Sequence, residues 1–139
     1  MPTILLVEDN RIDETLIRHI LKEEGFDDEQ VISARDGLEA LDYLFGTGAH
    51  LGRDVNALPA LMILDLQLPK IKGLEVLKRV RTDPRTLSLP VAIFSSSLDT
   101  DDLITSDGLG VTSYIHKSSN LIEYAADVRE LVNHLKENK

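Results

Sequence analysis

Short apolar runs alternate along the chain with stretches in which apolar residues recur every three or four positions. This alternation predicts strands and helices in βα order around a parallel sheet. Five runs have strand length: residues 4–7, 31–34, 61–64 ending on Asp65, 90–94 leading into Ser95, Ser96 and Ser97, and 112–116 ending at Lys117. Runs 4–7 and 61–64 are apolar throughout, as strands buried on both faces require, and the latter reads as the central strand. Run 31–34 is weaker and belongs nearer an edge. Pro90 opens the fourth strand, where a missing N–H costs little.

Helical spacing follows most of these runs. Asn10 is placed to N-cap a first helix, with Asp13 and Glu14 at its positive end, an apolar stripe of Ile12, Leu16, Ile20 and Leu21, and Gly25 as its stop. Asp36 with Glu39 reads as a capping-box variant before Ala40, Leu41, Leu44 and Phe45, and Gly46 closes that helix. Residues 46–59 have loop composition and form a long helix-to-strand connection. Leu74, Leu77 and Val80 mark a third helix. Asp99 and Asp102 flank the start of a short fourth one, whose thin apolar content (Leu103, Ile104) predicts low local stability. Leu121, Tyr124, Ala125, Val128, Leu131, Val132 and Leu135 form the clearest stripe, ending with Lys136 and Lys139 at the negative pole.

Composition narrows the function. A length of 139 residues suits one domain with one core, spanning 1–139 with no output domain. With 24 acidic against 15 basic residues the net charge is −9, which disfavours phosphate-backbone contacts and so nucleic acid. The absence of Cys removes disulfides, thiolate nucleophiles and Cys-ligated zinc, and fits a reducing cytoplasmic setting. The longest apolar stretch, 57–64, is broken by Pro59 and falls far short of a membrane span. No signal-peptide pattern precedes Glu8.

In an open parallel sheet the functional crevice lies outside the carboxyl ends of the strands, where strand order reverses. Those ends carry Glu8 and Asp9, Asp65, Ser95 and Lys117. A flavodoxin-like three-layer (βα)5 fold of order 2-1-3-4-5 makes the first and third strands neighbours, so the three carboxylates converge. Converging like charges need a cation, and an oxygen-only donor set with few carboxylates suits Mg2+. A carboxylate, a metal, a lysine and a hydroxyl are parts for phosphoryl transfer, with Asp65 as nucleophile, Lys117 balancing the oxygens and Ser95 bonding one of them. His19, His50, His116 and His134 fall on separate elements and read as surface residues. Tyr114 reads equally as an edge aromatic.

At these residues the sequence resembles the receiver domain of bacterial two-component response regulators. The resemblance rests on Leu-Val-Glu8-Asp9-Asn10, on Leu-Asp65-Leu-Gln-Leu-Pro69 with Gly73, on Pro90-Val-Ala-Ile-Phe-Ser95-Ser96, and on Tyr114-Ile-His-Lys117, in order and spacing. It implies that Glu8 and Asp9 help hold Mg2+, completed by Asp65 and the backbone carbonyl of Gln67. Asp65 then accepts phosphate from a sensor histidine kinase or phosphotransfer protein, Ser95 is the switch hydroxyl, Tyr114 the aromatic that changes rotamer with it, and Lys117 the phosphate-binding lysine. Ser118 stands where the family commonly has a cis proline, so a trans peptide is expected after Lys117. Gln67 and Ser97 occupy positions that in the family tune the phosphoryl lifetime.

The Leu-Pro-Lys after Asp65, the Ser-rich strand end, the Lys-Ser pair and the 46–59 loop are similar to stand-alone regulators partnered with bacterial phytochrome kinases. The implied partners are such a kinase and a downstream protein target, with a second copy of the chain as a further candidate on the last helix. The chain then reads as a phosphoacceptor switch with weak self-phosphorylation and self-dephosphorylation rather than as an enzyme. Two rivals share its parts. A Mg2+-dependent phosphohydrolase would want a second acid where Gln67 stands, and a non-phosphorylated interaction module would have no use for the acidic cluster and Lys117 together.

Overall fold

Period-two packing of apolar strands builds the centre of the molecule. In a computed structural model, which describes residues 2–96, 105–117 and 120–137, β1 (Ile4–Val7) and β3 (Leu61–Asp65) are buried at every position. Alternate side chains serve opposite faces. Ile4, Leu6 and Ile63 join one core layer with α1 (Arg11–Glu23), while Leu5, Val7, Met62 and Leu64 join a second with α2 (Gly37–Phe45) and α3 (Gly73–Thr82). The sheet is completed by β2 (Val31–Ala34), β4 (Val91–Ser95) and β5 (Ser113–His116). All neighbours are parallel and the order is β2-β1-β3-β4-β5, as the strand-end argument requires. Residues 105–108 are helical, here α4, and α5 (Leu121–Glu137) packs through Tyr124, Val128, Leu131 and Val132 on the α1 side of the sheet.

The helix ends follow local chemistry. The Asn10 carboxamide accepts from the N–H groups of Ile12 and Asp13, at 2.9 and 3.1 Å. Asp36 accepts from the Glu39 N–H at 2.8 Å, while the Glu39 carboxylate reaches back to the Arg35 N–H at 3.2 Å. That is one residue earlier than a reciprocal capping box. Gly46 ends α2 at φ 65°, a conformation that favours glycine.

Two apolar positions depart from the sequence expectation. Ile12 is 79% exposed, and the buried stripe of α1 is Ile17, Ile20 and Leu21 with Leu16 at its margin. Ile12 lies in the first turn, ahead of the point where the helix meets the sheet. Leu121 is likewise 61% exposed, since the core face of α5 begins at Tyr124. The strands of run four and run five begin one residue later than expected, at Val91 and Ser113. Ser97, the start of the fourth helix with Asp99, Asp102, Leu103 and Ile104, Ser118 with its peptide bond, the Lys136 side chain and Lys139 lie outside the description.

The long α2–β3 connection is internally bonded. The Arg53 guanidinium donates to the carbonyls of Tyr43, Leu44 and Ala57 and lies 4.1 Å over the Tyr43 ring. His50 packs edge-on against the same ring at 5.2 Å.

Candidate functional site

Each strand delivers its polar residue by continuing its own ladder. The Glu8 N–H bonds the Ala34 carbonyl at 2.9 Å, which turns the Glu8 side chain inward beside β3. Asp65 ends β3 nearly buried, and its Oδ1 accepts the Gln67 N–H at 2.9 Å. The following turn is tight: a Cβ at Gly73 would meet the Asp65 carbonyl oxygen at 2.2 Å and Leu66 Cα at 2.6 Å. Only glycine lets α3 start this close to the strand end. Lys70 in the same loop takes φ 65° and pairs with Asp36 at 3.2 Å.

Lys117 leaves β5 with its N–H on the Ser95 carbonyl at 2.9 Å, so its side chain crosses the top of the sheet. The ammonium bonds Glu8 Oε1, bonds Asp65 Oδ2 at 3.0 Å, pairs with Asp13 Oδ2 at 3.3 Å, and lies 4.7 Å over the Phe94 ring. One cation thus serves carboxylates from β1, α1 and β3. Burial, together with the hydrogen bond to Asp65, pushes the Glu8 carboxyl up to about 8 against the pull of Lys117. Burial would lower Lys117, but Glu8 and Asp65 outweigh it and hold the ammonium above the usual lysine range.

Glu8, Asp9 and Asp65 each place a carboxylate oxygen within 4.8 Å of the others. The donors are all oxygen, Glu8 and Asp65 are buried while Asp9 is exposed, and the Glu8 charge is costly without a positive neighbour. This donor set fits a hard divalent cation. A cavity of about 580 Å3 opens beside it, lined by Asp9, Asp13, Asp65, Ser96, Lys117 and Tyr124 among others.

The remaining predicted residues lie around this centre. Ser95 is fully buried at the end of β4, opposite His116 in the ladder, while the neighbouring Ser96 lines the cavity with its hydroxyl 3.3 Å from the Gln67 side-chain oxygen. Tyr114 on β5 is half-buried against the α2/α3 core layer, and burial and the Asp107 charge raise its hydroxyl pKa. Among the four histidines, His116 bonds the Ser96 carbonyl at 3.2 Å, and no histidine joins the acidic cluster. Sequence reasoning missed Asp13 as a partner of Lys117 and Tyr124 as a cavity residue. The signal for Asp13 was its place in the first turn of the helix that leaves the acidic strand end; Tyr124 carried none beyond its place in an apolar stripe.

Known proteins resemble this chain in sequence and fold. Response regulator Rcp1 of Synechocystis sp. is 40% identical over 118 residues, which cover 85% of this chain and 78% of Rcp1. The crystal structure of the phosphorylated cyanobacterial phytochrome response regulator RcpA superposes with a TM-score of 0.88 at 36% identity, covering 99% of this chain and 96% of that one. The Mn(2+)-bound form of Rcp1 gives a TM-score of 0.85 at 36% identity over 94% of this chain and 91% of its own. The family model of the response regulator receiver domain matches residues 4–129, the span that carries the whole sheet and every site residue described above. The chain belongs to the response regulator receiver domain family and works in two-component phosphorelay signalling.

Proposed function

We propose that Asp65 is the phosphoacceptor of a stand-alone receiver and that Lys117 is the cation that stabilises its phosphorylated form. The observation that carries this reading is the Lys117 ammonium 3.0 Å from Asp65 Oδ2, beside the carboxylates of Glu8 and Asp9. Glu8, Asp9, Asp65 and the backbone carbonyl of Gln67 would hold Mg2+. When bound, that ion supplies positive charge that neutralises phosphoryl oxygens.

A carboxylate oxygen of Asp65 attacks the phosphorus of a kinase phosphohistidine. The new O–P bond forms as the N–P bond breaks, and the departing imidazole nitrogen keeps the electron pair and takes a proton. Asp65 becomes an acyl phosphate. Lys117, already on the Asp65 carboxylate, offers its N–H donors to the incoming oxygens. The Ser95 hydroxyl is assigned to one of them, and Tyr114 on the adjoining β5 to the rotamer change that reports it. Water attack on phosphorus later restores the carboxylate and releases phosphate, so turnover is incidental to switching.

The partner class is a histidine kinase, the likeness to RcpA and Rcp1 supports a bacterial phytochrome kinase, and the Cys-free sequence fits a cytoplasmic setting. No helix among the described residues is long and apolar enough to cross a membrane. The output is contact with a downstream protein, and the exposed Leu121 and Ile122 on α5 offer apolar surface to that partner or to a second copy. Incubation with acetyl phosphate and Mg2+ followed by intact mass should show one added phosphoryl group, absent from Asp65→Asn and from an EDTA-treated sample. An unlabelled wild type would refute the reading, and continuous phosphate release at enzymatic rates would replace it with a phosphohydrolase.

A further inference from the structure

Tyr124 sits in the first turn of α5 with its N–H on the Asn120 carbonyl at 3.1 Å. The residue is 2% exposed, and its ring stands edge-on to Phe94 at 6.5 Å, the same ring that underlies Lys117. Its hydroxyl has no hydrogen-bond partner among the described residues. A buried phenol normally finds one, because an unmade hydrogen bond leaves the desolvation cost uncompensated. The residue lines the cavity that holds Asp9, Asp13, Asp65 and Lys117. Burial, then the charges of Asp13, Glu8 and Asp65, raise its pKa, so the phenol keeps its proton and stays a donor.

The sharing of Lys117 explains what such a reserve is for. The Lys117 ammonium donates to Glu8 and Asp65 and forms an ion pair with Asp13, so three carboxylates share one positive charge. A phosphoryl group on Asp65 adds anionic oxygens that compete for that charge and draw the ammonium from its weakest partner. The Glu8 and Asp65 side chains are 0% and 4% exposed, whereas Asp13 is 27% exposed and stands farthest from the ammonium, at 3.3 Å. Asp13 is therefore the partner released at least cost, and its charge is the largest carboxylate influence on Tyr124.

We infer that Tyr124 is a positioning residue whose hydroxyl takes over the Asp13 carboxylate when Lys117 moves onto the phosphoryl oxygens of Asp65. The inference rests on Asp65 being the phosphoacceptor. It makes the phosphorylated state depend on a side chain of α5 that touches neither phosphate nor metal. In the exchange Asp13 loses its ion pair with the ammonium and gains a phenolic donor, and no proton changes owner.

The test labels wild type, Tyr124→Phe, Asp13→Ala and the double variant with acetyl phosphate and Mg2+, and reads the labelled fraction by intact mass. Tyr124→Phe keeps the ring packing and removes only the oxygen. Its labelled fraction should fall on the order of ten-fold, the scale of one hydrogen bond to a charged acceptor. The same substitution should have no further effect in the Asp13→Ala background. With 13Cζ-labelled tyrosine, the Tyr124 signal, assigned by its absence from Tyr124→Phe, should shift on phosphorylation in wild type and stay in place in Asp13→Ala. A Tyr124→Phe protein that labels like wild type, whatever its melting temperature, would leave the hydroxyl without a part in the phosphorylated state and overturn the inference. So would an equal loss in the Asp13→Ala background. If wild type itself takes no label, the phosphoacceptor reading has failed first, before any substitution at Tyr124.

Discussion

Replacing Glu8 by Gln in metal-free buffer should make the protein more stable at neutral and mildly alkaline pH. The Glu8 side chain is fully buried beside Asp65, and its carboxyl titrates at about 8 in the fold against 4.5 ordinarily. Below pH 4.5 folded and unfolded chains both carry the proton. Between 4.5 and 8 the unfolded chain has lost it while the folded chain keeps it, so folding binds a proton and stability declines as pH rises. At roughly 1.36 kcal/mol per pH unit the whole window is worth about 5 kcal/mol, of which about 3 kcal/mol falls between pH 5 and 7.5. That is a large share of the 5–15 kcal/mol typical of a small domain.

Denaturant unfolding in EDTA at closely spaced pH values measures it directly. Wild type should lose stability across the window, whereas Glu8→Gln should show a flatter curve, because a neutral amide has nothing to titrate. Millimolar Mg2+ should flatten the wild-type curve as well, since a cation beside Glu8 removes the penalty on its charge. Parallel pH curves for the two proteins in EDTA would refute the argument, for they would mean that Glu8 ionises as freely in the fold as out of it.

Three other outcomes follow from contacts already described. Gly73→Ala must push a methyl against the Asp65 carbonyl, so it should cost about 1–3 kcal/mol in denaturant unfolding and lower the acetyl phosphate labelling of Asp65. Ile17→Ala should cost about 2–5 kcal/mol, while Ile12→Ala, one and a half turns earlier and solvated, should stay within about 0.5 kcal/mol by the same assay. Arg53→Ala should leave the circular dichroism spectrum in place, cost about 1–3 kcal/mol, and speed hydrogen exchange of amides in the 46–57 segment.

The sheet was readable because parallel strands buried on both faces leave nearly uninterrupted apolar runs, and because each run stopped at a charged or hydroxyl residue where the crevice had to lie. The strand order 2-1-3-4-5 then brought the carboxylates of Glu8, Asp9 and Asp65 together with no side-chain information at all. Helix faces were less legible. The spacing of Ile12, Leu16 and Ile20 is as regular as that of the true stripe, and only the line along which α1 meets the sheet selects Ile17 over Ile12. The three-way sharing of Lys117 was hidden for a related reason: Asp13 has every mark of a dipole-complementing residue in a first turn, and its second role depends on where α1 leans. Tyr124 belongs both to a core stripe and to the cavity wall, a double membership that periodicity cannot express.

The Arg53 guanidinium changes what the long α2–β3 connection means for the chain. Closing a flexible span costs entropy that grows with the logarithm of its length, and a free span here would also leave the last carbonyls of α2 to water. By clasping Tyr43 and Leu44 on one side and Ala57 on the other, Arg53 divides the span into smaller rings closed from within. The connection is thereby an appendage of α2 rather than a tether to β3. Residues added between 47 and 52 would enlarge one ring without loosening the other, so this corner of the molecule can vary in reach while the strand it feeds, and the aspartate at that strand's far end, stay where they are.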